Sequence, residues 1–449
     1  MKKLIKKIST LFLLILLNSL VIILIIDINS EIAVKDILLE NFNSENNSYT
    51  IAIYKKNGVI DNLFSKDFSC YAESKEIFSN NFSNGKCVLT LPINENFEIY
   101  IKNGNKESKK VNPSNYISNI LEFNFNDEIV YLTVGEKYKL DYSLKLVSPD
   151  DSFNFKSNNE EIATIKDGYI YANKSGKTTI SNTITKKGLE VIVTDLISLP
   201  AYQKNYKIHL PCNKYSLDEA NLLDKILEFK INKAGYKTRA GAVAAARFLT
   251  LEFPYRIPYF YENGRVHESG VNYADGEGRY YKKGLYLHDS KKSDIKASFS
   301  GPAIWGCPLT NWELNETYGY YPGVKRANGL DCSGFVSWVL YNAGFDPGDI
   351  GAGETEYPYQ LTDLGNYTPL TTSLIYSDNL KVGDLLNYWG HIAIIVGIDD
   401  NYIYVAESLQ NFGGVVTRQY KKSTINQTFT HVVLMDDYYK NDGNLKKMW

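Results

Sequence analysis

The stretch Gly329-Leu330-Asp331-Cys332-Ser333-Gly334-Phe335 leads directly into an apolar pattern that has the period of an α-helix. The apolar residues that share one face of this pattern are Phe335, Val336, Val339, Leu340 and Ala343, and Gly344 follows them as a stop signal. The sequence therefore predicts a buried helix with Cys332 in its first turn.

Cys332 is a candidate nucleophile because of this position. The free backbone N–H groups and the positive end of the helix dipole favour a thiolate at a helix start. The more ordinary role of a helical cysteine is that of a small core residue. The flanking Asp331 and Ser333 argue against that role, since a core position needs no polar approach.

Two apolar segments that follow the cysteine helix are typical of strands. After the turn Leu380-Lys381-Val382-Gly383-Asp384-Leu385-Leu386 come Gly390-His391-Ile392-Ala393-Ile394-Ile395-Val396-Gly397 and Tyr402-Ile403-Tyr404-Val405-Ala406-Glu407-Ser408. His391 opens the first strand, where a side chain can point into a cleft. If the two strands pair antiparallel, Glu407 at the end of the second lies within reach of the imidazole. A lone histidine in such a place is otherwise a hydrogen-bonded bystander.

The helix start Asp331-Cys332-Ser333-Gly334, the turn Gly383-Asp384-Leu385 and the strand around His391 together resemble the NlpC family of cell-wall peptidases, over about Ser216 to Asp436. The resemblance implies a papain-like α+β fold with Cys332 as nucleophile and His391 as base. It also implies that Glu407 orients the imidazole. The family more often has His, Asn or Gln in this third position, so Gln410 stays open as an alternative.

The same resemblance suggests which residues contact the substrate. Asp331 and Ser333 flank the nucleophile, and Tyr259 belongs to a Pro-Tyr pair that the family places shortly before the cysteine. Some seventy residues separate Tyr259 from Cys332 here, and a plain packing role for this aromatic stays open. The insertion 264–325, which includes Trp305 and Trp312, is predicted to wall the substrate cleft.

No metal or other cofactor is predicted for this site. The five His and five Cys show no zinc-type ligand spacing. Five cysteines in an exported chain leave one unpaired. We predict disulfides Cys70–Cys87 and Cys212–Cys307, which leave Cys332 as the free thiol.

The chain ahead of the cysteine helix divides into several segments. Residues 31–122 alternate short β-like runs with turns and predict a β-sandwich. Residues 123–196 resemble the bacterial immunoglobulin-like group 2 domains of surface proteins, with Phe155 where that family more often has Trp. Residues 197–213 are predicted to be a linker. The hydrolase domain is then 214–440, opening with a capping box of Ser216 and Glu219 and an alanine-rich helix from Arg239 to Leu251.

Residues 1–30 begin with four lysines before an apolar run from Leu11 to Ile26. A helix over 8–26 is long enough for the hydrocarbon core, so an uncleaved membrane anchor is predicted. A cleaved signal peptide and a buried helix are the alternatives. The lysines would stay inside, leaving everything after Ser30 at the outer face of the membrane or in the wall. The net charge of −2 gives no reason to expect a nucleic-acid partner.

The sequence thus predicts a multidomain protein, with β-sandwich and immunoglobulin-like β domains before a papain-like α+β hydrolase. The resemblance implies a thiol peptidase that cleaves peptidoglycan stem peptides, and the N-terminal segment predicts that it is exported and tethered to the membrane. One alternative is an amidase or acyl transferase that acts on another amide or ester. The other is a non-catalytic surface adhesin, although binding alone needs no pair of Cys332 and His391.

Overall fold

The computed structural model of the protein describes residues 9, 12–19, 21, 32–56, 68–149, 153–203, 209–260, 284, 305–310, 321, 324–327, 329–348, 350–353 and 360–449. Part of the predicted membrane helix, most of the insertion 264–325 and Trp312 lie outside the described residues. Residues 12–19 are helical, with exposed side chains. No helix in the described part of the chain is both long enough and apolar enough to span a membrane.

The chain divides into two compact units, and most of its regular structure is β-sheet with several sandwich-like sheets. The first unit comprises Met1–Glu128, Lys139–Asn158 and Thr179–Leu189. The second unit comprises Ile129–Tyr138, Asn159–Thr178 and Glu190–Trp449. The predicted domain boundaries stay predictions.

Seven strands of the first unit form two sheets. The strands are β1 (Val34–Asn43), β2 (Ser48–Lys55), β3 (Phe68–Glu73), β4 (Ile77–Asn81), β5 (Lys86–Pro92), β6 (Glu98–Asn103) and β7 (Lys106–Glu107). Their orders are β1-β2-β5 and β4-β3-β6-β7. Side chains that alternate along the strands, such as Ile51 and Ile99, are fully buried in a shared apolar core. The predicted disulfide Cys70–Cys87 is confirmed, and it joins β3 of one sheet to β5 of the other.

Nine short strands follow and form three further sheets. They are β8 (Ile120–Phe125), β9 (Ile129–Thr133), β10 (Lys137–Lys139), β11 (Tyr142–Leu146), β12 (Phe155–Ser157), β13 (Ala163–Lys166), β14 (Tyr169–Ala172), β15 (Gly176–Asn182) and β16 (Gly188–Thr194). The orders are β11-β8, β10-β14-β13 and β12-β15-β16-β9. The ring centroids of Phe153 and Phe155 lie 5.1 Å apart in an aromatic cluster.

Two helices open the C-terminal part, as predicted. Helix α1 spans Leu217–Gly235, and the capping box of Ser216 and Glu219 is present in full. Helix α2 spans Arg239–Arg247 and is buried along nearly its whole length, because its alanines allow close packing. A single π-helical turn, Phe248–Glu252, carries it to its end two residues before Pro254.

A third helix and a six-stranded sheet complete the described C-terminal part. Helix α3 spans Cys332–Asn342, after the short strands β17 (Pro308–Thr310) and β18 (Lys325–Ala327). The sheet contains β19 (Asn366–Pro369), β20 (Leu385–Tyr388), β21 (His391–Ile398), β22 (Tyr402–Leu409), β23 (Gly414–Lys421) and β24 (His431–Leu434). Its order is β19-β24-β20-β21-β22-β23, with short helices α4 (Thr372–Ile375) and α5 (Asp436–Tyr439) beside it.

The sheet is apolar on both faces, which explains why β21 is an almost unbroken apolar run. Ile392 and Ile394 pack with Phe335 of α3 in one apolar cluster. Ala393 and Ile395 belong to a second cluster on the opposite side. Strand β21 is therefore held firmly between two layers, and its first residue is His391.

Candidate functional site

The nucleophile candidate lies where the sequence predicts it, at the first residue of α3. Asp331 is the N-cap, and its side chain accepts a 2.7 Å hydrogen bond from the backbone N–H of Gly334. The hydroxyl of Ser333 donates to the same carboxylate oxygen at 3.2 Å. The side chains of Asp331 and Ser333 thus shape the helix start. A contact of either residue with substrate stays a prediction.

The loop before Cys332 is fixed from two sides. The carbonyl oxygen of Pro258 accepts a 3.0 Å hydrogen bond from the N–H of Leu330. Gly329 packs so closely that a Cβ added there would lie 1.9 Å from the same oxygen. On the other side, the hydroxyl of Ser408 donates a 2.6 Å hydrogen bond to the carbonyl of Leu330. A glycine at position 329 is therefore a requirement of close backbone approach.

Tyr259 continues the segment that fixes this loop. Its backbone N–H donates to the carbonyl of Gly413 at 3.1 Å, and Pro258 forms a bridge to Gly414 at the start of β23. The residue is half-buried. The segment therefore lies between the cysteine loop and β23, and a role of Tyr259 in binding substrate stays a prediction.

His391 and Glu407 meet as predicted from the antiparallel pairing. Nε2 of His391 lies 2.8 Å from Oε2 of Glu407, and both side chains are almost fully buried. Gln410, the alternative partner, is exposed in the 3-10 turn that follows β22. The geometry thus brings Glu407, and not Gln410, to the imidazole.

Three residues that the sequence analysis did not single out support this pair. The Tyr420 hydroxyl donates a 2.9 Å hydrogen bond to Oε1 of Glu407, and Arg418 Nη1 lies 3.4 Å from the same oxygen. The side-chain amide of Asn387 donates to the carbonyl oxygen of His391 at 2.8 Å. The sequence feature that points to Arg418 and Tyr420 is the alternation of side chains along β23, which places both on one face.

The turn before β20 is held by a buried ion pair. Arg239 of α2 is fully buried, and its Nη1 donates a 2.6 Å hydrogen bond to Asp384. The same guanidinium also binds Asp436 and Asp442. Burial raises the pKa of Asp384, although Arg239 opposes this effect. This cluster ties α2 to the turn before β20 and to the segment that follows β24.

The expectation of a stabilised thiolate at Cys332 is wrong for this arrangement. Burial raises the pKa of Cys332 to about 12, and the negative charge of Asp331 acts in the same direction. The backbone N–H groups of Ile392, Ser333 and Cys332 itself lower the pKa, but by less. Helix-start stabilisation is therefore outweighed by desolvation, and the sulfur is a neutral thiol at neutral pH.

The sulfur and the imidazole both lie at the start of β21. The N–H of Ile392 acts on the sulfur, which places Cys332 beside the first residues of β21. The ring of His391 packs on Tyr388, with 5.0 Å between the centroids. Within the described ranges, the hydrogen bonds include none between the thiol and the imidazole. Catalytic hydrogen bonds often tighten only once substrate is bound.

The cysteine pairing agrees with the prediction. Cys212 and Cys307 form a disulfide, and Cys332 is the free cysteine, buried in the core. Trp305 is also buried rather than open to a cleft. Among the residues that the structure describes, no three His, Cys, Asp or Glu are arranged to hold a metal ion.

Comparison with known proteins gives little. No protein-family model matches the chain, and no curated protein matches it. Among solved structures, the S-layer protein rSbsC is 14% identical with a TM-score of 0.17, over 38% of this chain and 29% of that chain. The tandem Ig repeats of Dlar are 10% identical with a TM-score of 0.13, over 33% of this chain and 90% of theirs. Likenesses this weak carry no argument.

Proposed function

We propose that residues 214–440 form a papain-like cysteine hydrolase that cleaves amide bonds. The observation that carries this proposal is the placement of Cys332. Its sulfur lies at the start of a buried helix, beside the strand whose first residue, His391, is hydrogen-bonded to buried Glu407. A free thiol, a base and an orienting carboxylate are the three groups that nucleophilic acyl transfer uses.

The reaction follows from these groups. Nε2 of His391 is engaged by Glu407, so Nδ1 is the nitrogen that accepts the thiol proton while sulfur attacks the carbonyl carbon. Backbone N–H groups at the start of α3 stabilise the oxyanion. His391 then protonates the leaving amine, which departs and leaves a thioester on Cys332. A water molecule, deprotonated by His391, hydrolyses the thioester and releases the acid.

The proposed substrate class is the stem peptide of peptidoglycan, and it rests on the resemblance to the NlpC family. An amidase or acyl transferase with the same three groups is the enzymatic rival. The test is digestion of purified muropeptides by the full chain, with product identification by mass. Products that arise by cleavage of one peptide bond, and that do not form with Cys332→Ala, would support the proposal. Muropeptides that stay intact after incubation with the folded full chain would overturn the substrate class.

An exported location belongs to the same proposal. The four lysines before Leu11 would hold the N-terminus in the cytoplasm. Protease added to intact protoplasts should then remove the C-terminal part while a short fragment stays in the membrane. Full protection of the C-terminal part would contradict this orientation.

A further inference from the structure

Trp389 has the largest exposed fraction of the large apolar side chains in the part of the chain that the structure describes. Its side chain is 93% exposed, whereas Trp305 and Trp338 lie fully buried in the core. An indole carries more apolar surface than most side chains, and proteins usually bury most of it. Packing of the core therefore gives no reason for a tryptophan at position 389.

The local backbone gives no reason either. Trp389 and Gly390 form a two-residue turn between β20 and β21, because Tyr388 and His391 pair directly with each other. Such turns favour Asn, Asp or Gly at their first position. Gly390 fills the second position with a φ of +83°, but the first position holds Trp389. A Cβ added at Gly390 would meet nothing within 4 Å, so this side of the turn is open.

The position of Trp389 next to the proposed base is what sets it apart, since single exposed apolar residues are common on protein surfaces. The turn leads directly into His391. The ring of Tyr388, which precedes Trp389, packs on His391 at 5.0 Å and on Phe429 at 5.8 Å between centroids. The two strand ends that carry the turn are thus packed, and they hold Trp389 close to the imidazole.

The proposed reaction defines which part of a substrate lies near this turn. His391 gives its proton to the leaving amine, so that nitrogen must come within hydrogen-bond reach of the imidazole. The acyl part of the substrate stays on the sulfur of Cys332 as a thioester. The residue that carries the leaving amine therefore lies on the side of His391, where Trp389 borders the site.

The chemistry of an indole indicates what it contacts there. Its face is a broad apolar surface, and an aliphatic side chain laid against it loses apolar area to water on both partners. A residue without a side chain buries almost nothing on such a face. The contact therefore discriminates between long and short side chains on the leaving residue.

We propose that Trp389 is a specificity-determining residue that contacts a long aliphatic side chain on the substrate residue that carries the leaving amine. This inference rests on the proposed function, because the proposed reaction defines the leaving residue. The contact acts while the amide bond is being cleaved. It is gone once the amine has departed, so hydrolysis of the thioester does not depend on it.

The test uses stem peptides that share the acyl part and carry glycine, norleucine or lysine as the leaving residue. For the unaltered full chain, we expect kcat/KM for norleucine to exceed that for glycine on the order of tenfold. Trp389→Ser should remove this preference and leave the glycine peptide unchanged, while Trp389→Phe should retain part of the preference. Lysine should behave as norleucine does. A loss confined to lysine would indicate a cation–π contact and overturn the aliphatic assignment.

Two controls separate specificity from a general disturbance of the site. Tyr376 is a matched exposed aromatic, 59% exposed and close to Lys422, at the end of the sheet opposite to His391. Tyr376→Ser should keep the preference for norleucine. The rate of thioester hydrolysis, followed by mass spectrometry in a single turnover, should be the same in Trp389→Ser as in the unaltered chain. Slower hydrolysis of the thioester, or an unchanged preference in Trp389→Ser, overturns the inference.

A binding measurement distinguishes this inference from the proposed function. In the full chain with Cys332→Ala, the indole N–H resonance of Trp389, assigned by comparison with Trp389→Phe, should shift on titration with the norleucine peptide and much less with the glycine peptide. If no peptide is hydrolysed but this shift is present, the proposed function fails while the contact stands. Hydrolysis of the peptides without this shift overturns the inference alone.

Discussion

Ser408 binds the carbonyl oxygen of Leu330 at 2.6 Å, two residues before Cys332. Its neighbour on β22, Glu407, points to the other face of the sheet and binds His391. One strand therefore supports the loop of the nucleophile with one side chain and the base with the next. Because successive side chains of a strand alternate, a register shift of one residue would exchange both roles.

The reactivity of Cys332 should depend steeply on pH. Only the thiolate is alkylated, and a pKa of about 12 keeps the thiol neutral near pH 7. The rate of modification by iodoacetamide should thus rise about tenfold per pH unit from pH 7 to 10. In the urea-denatured chain, with an ordinary thiol pKa of about 8.5, the rate should level off near pH 9. Faster labelling of the folded chain at pH 7 would show a preformed ion pair instead.

Replacement of Glu407 by Gln should reduce kcat/KM on the order of 10–10³-fold. The Gln amide can present N–H to the ring and select the wrong tautomer, which costs about 10⁴-fold in the serine-triad precedent. Gln410→Ala is the matched control, and it should leave the rate unchanged because that side chain is exposed. The opposite ranking of the two variants, in steady-state assays on one peptide, would reassign the orienting residue.

Removal of the Ser408 hydroxyl should destabilise the fold and slow the chemistry together. Ser408→Ala deprives the buried carbonyl of Leu330 of a donor, for which we expect a loss of about 1–3 kcal/mol in the free energy of unfolding. Urea denaturation measures this loss, with the exposed Ser423→Ala as control. A variant with unaltered stability would mean that the loop before Cys332 is held without this bond.

The Arg239 cluster gives the largest stability prediction. Arg239→Met leaves Asp384 buried without its cation, which should cost about 3–5 kcal/mol in the free energy of unfolding. The double variant Arg239→Met/Asp384→Leu removes both charges and should be more stable than Arg239→Met alone. Lys381→Met, whose side chain is 33% exposed in the same cluster, should cost less than about 1 kcal/mol. Equal losses in the free energy of unfolding for Arg239→Met and Lys381→Met would contradict this ranking.

Local rules predicted the parts of the site that depend on near neighbours in sequence. The helix start at Cys332, the capping box of Ser216 and the strand pair that brings Glu407 to His391 all follow from period and turn signals. Both predicted disulfides are also present.

Longer-range features escaped the sequence analysis for a physical reason. The contact of Arg418 with Glu407 depends on the register of β23, which no turn signal in the sequence fixes. The neutral thiol of Cys332 depends on how deeply α3 is buried, and burial depth is a property of the assembled core. A helix dipole is visible in a sequence pattern, whereas the desolvation that outweighs it is not.

The disulfide Cys212–Cys307 bridges 95 positions of sequence, from just before α1 to a point ahead of α3. A backbone cut anywhere between these two cysteines would therefore leave a nicked but still covalently continuous molecule. Such a chain would migrate as one species on a non-reducing gel and as two fragments after reduction. Limited autolysis or trimming in this interval would thus leave α1 and α2 tethered to the half of the molecule that carries Cys332.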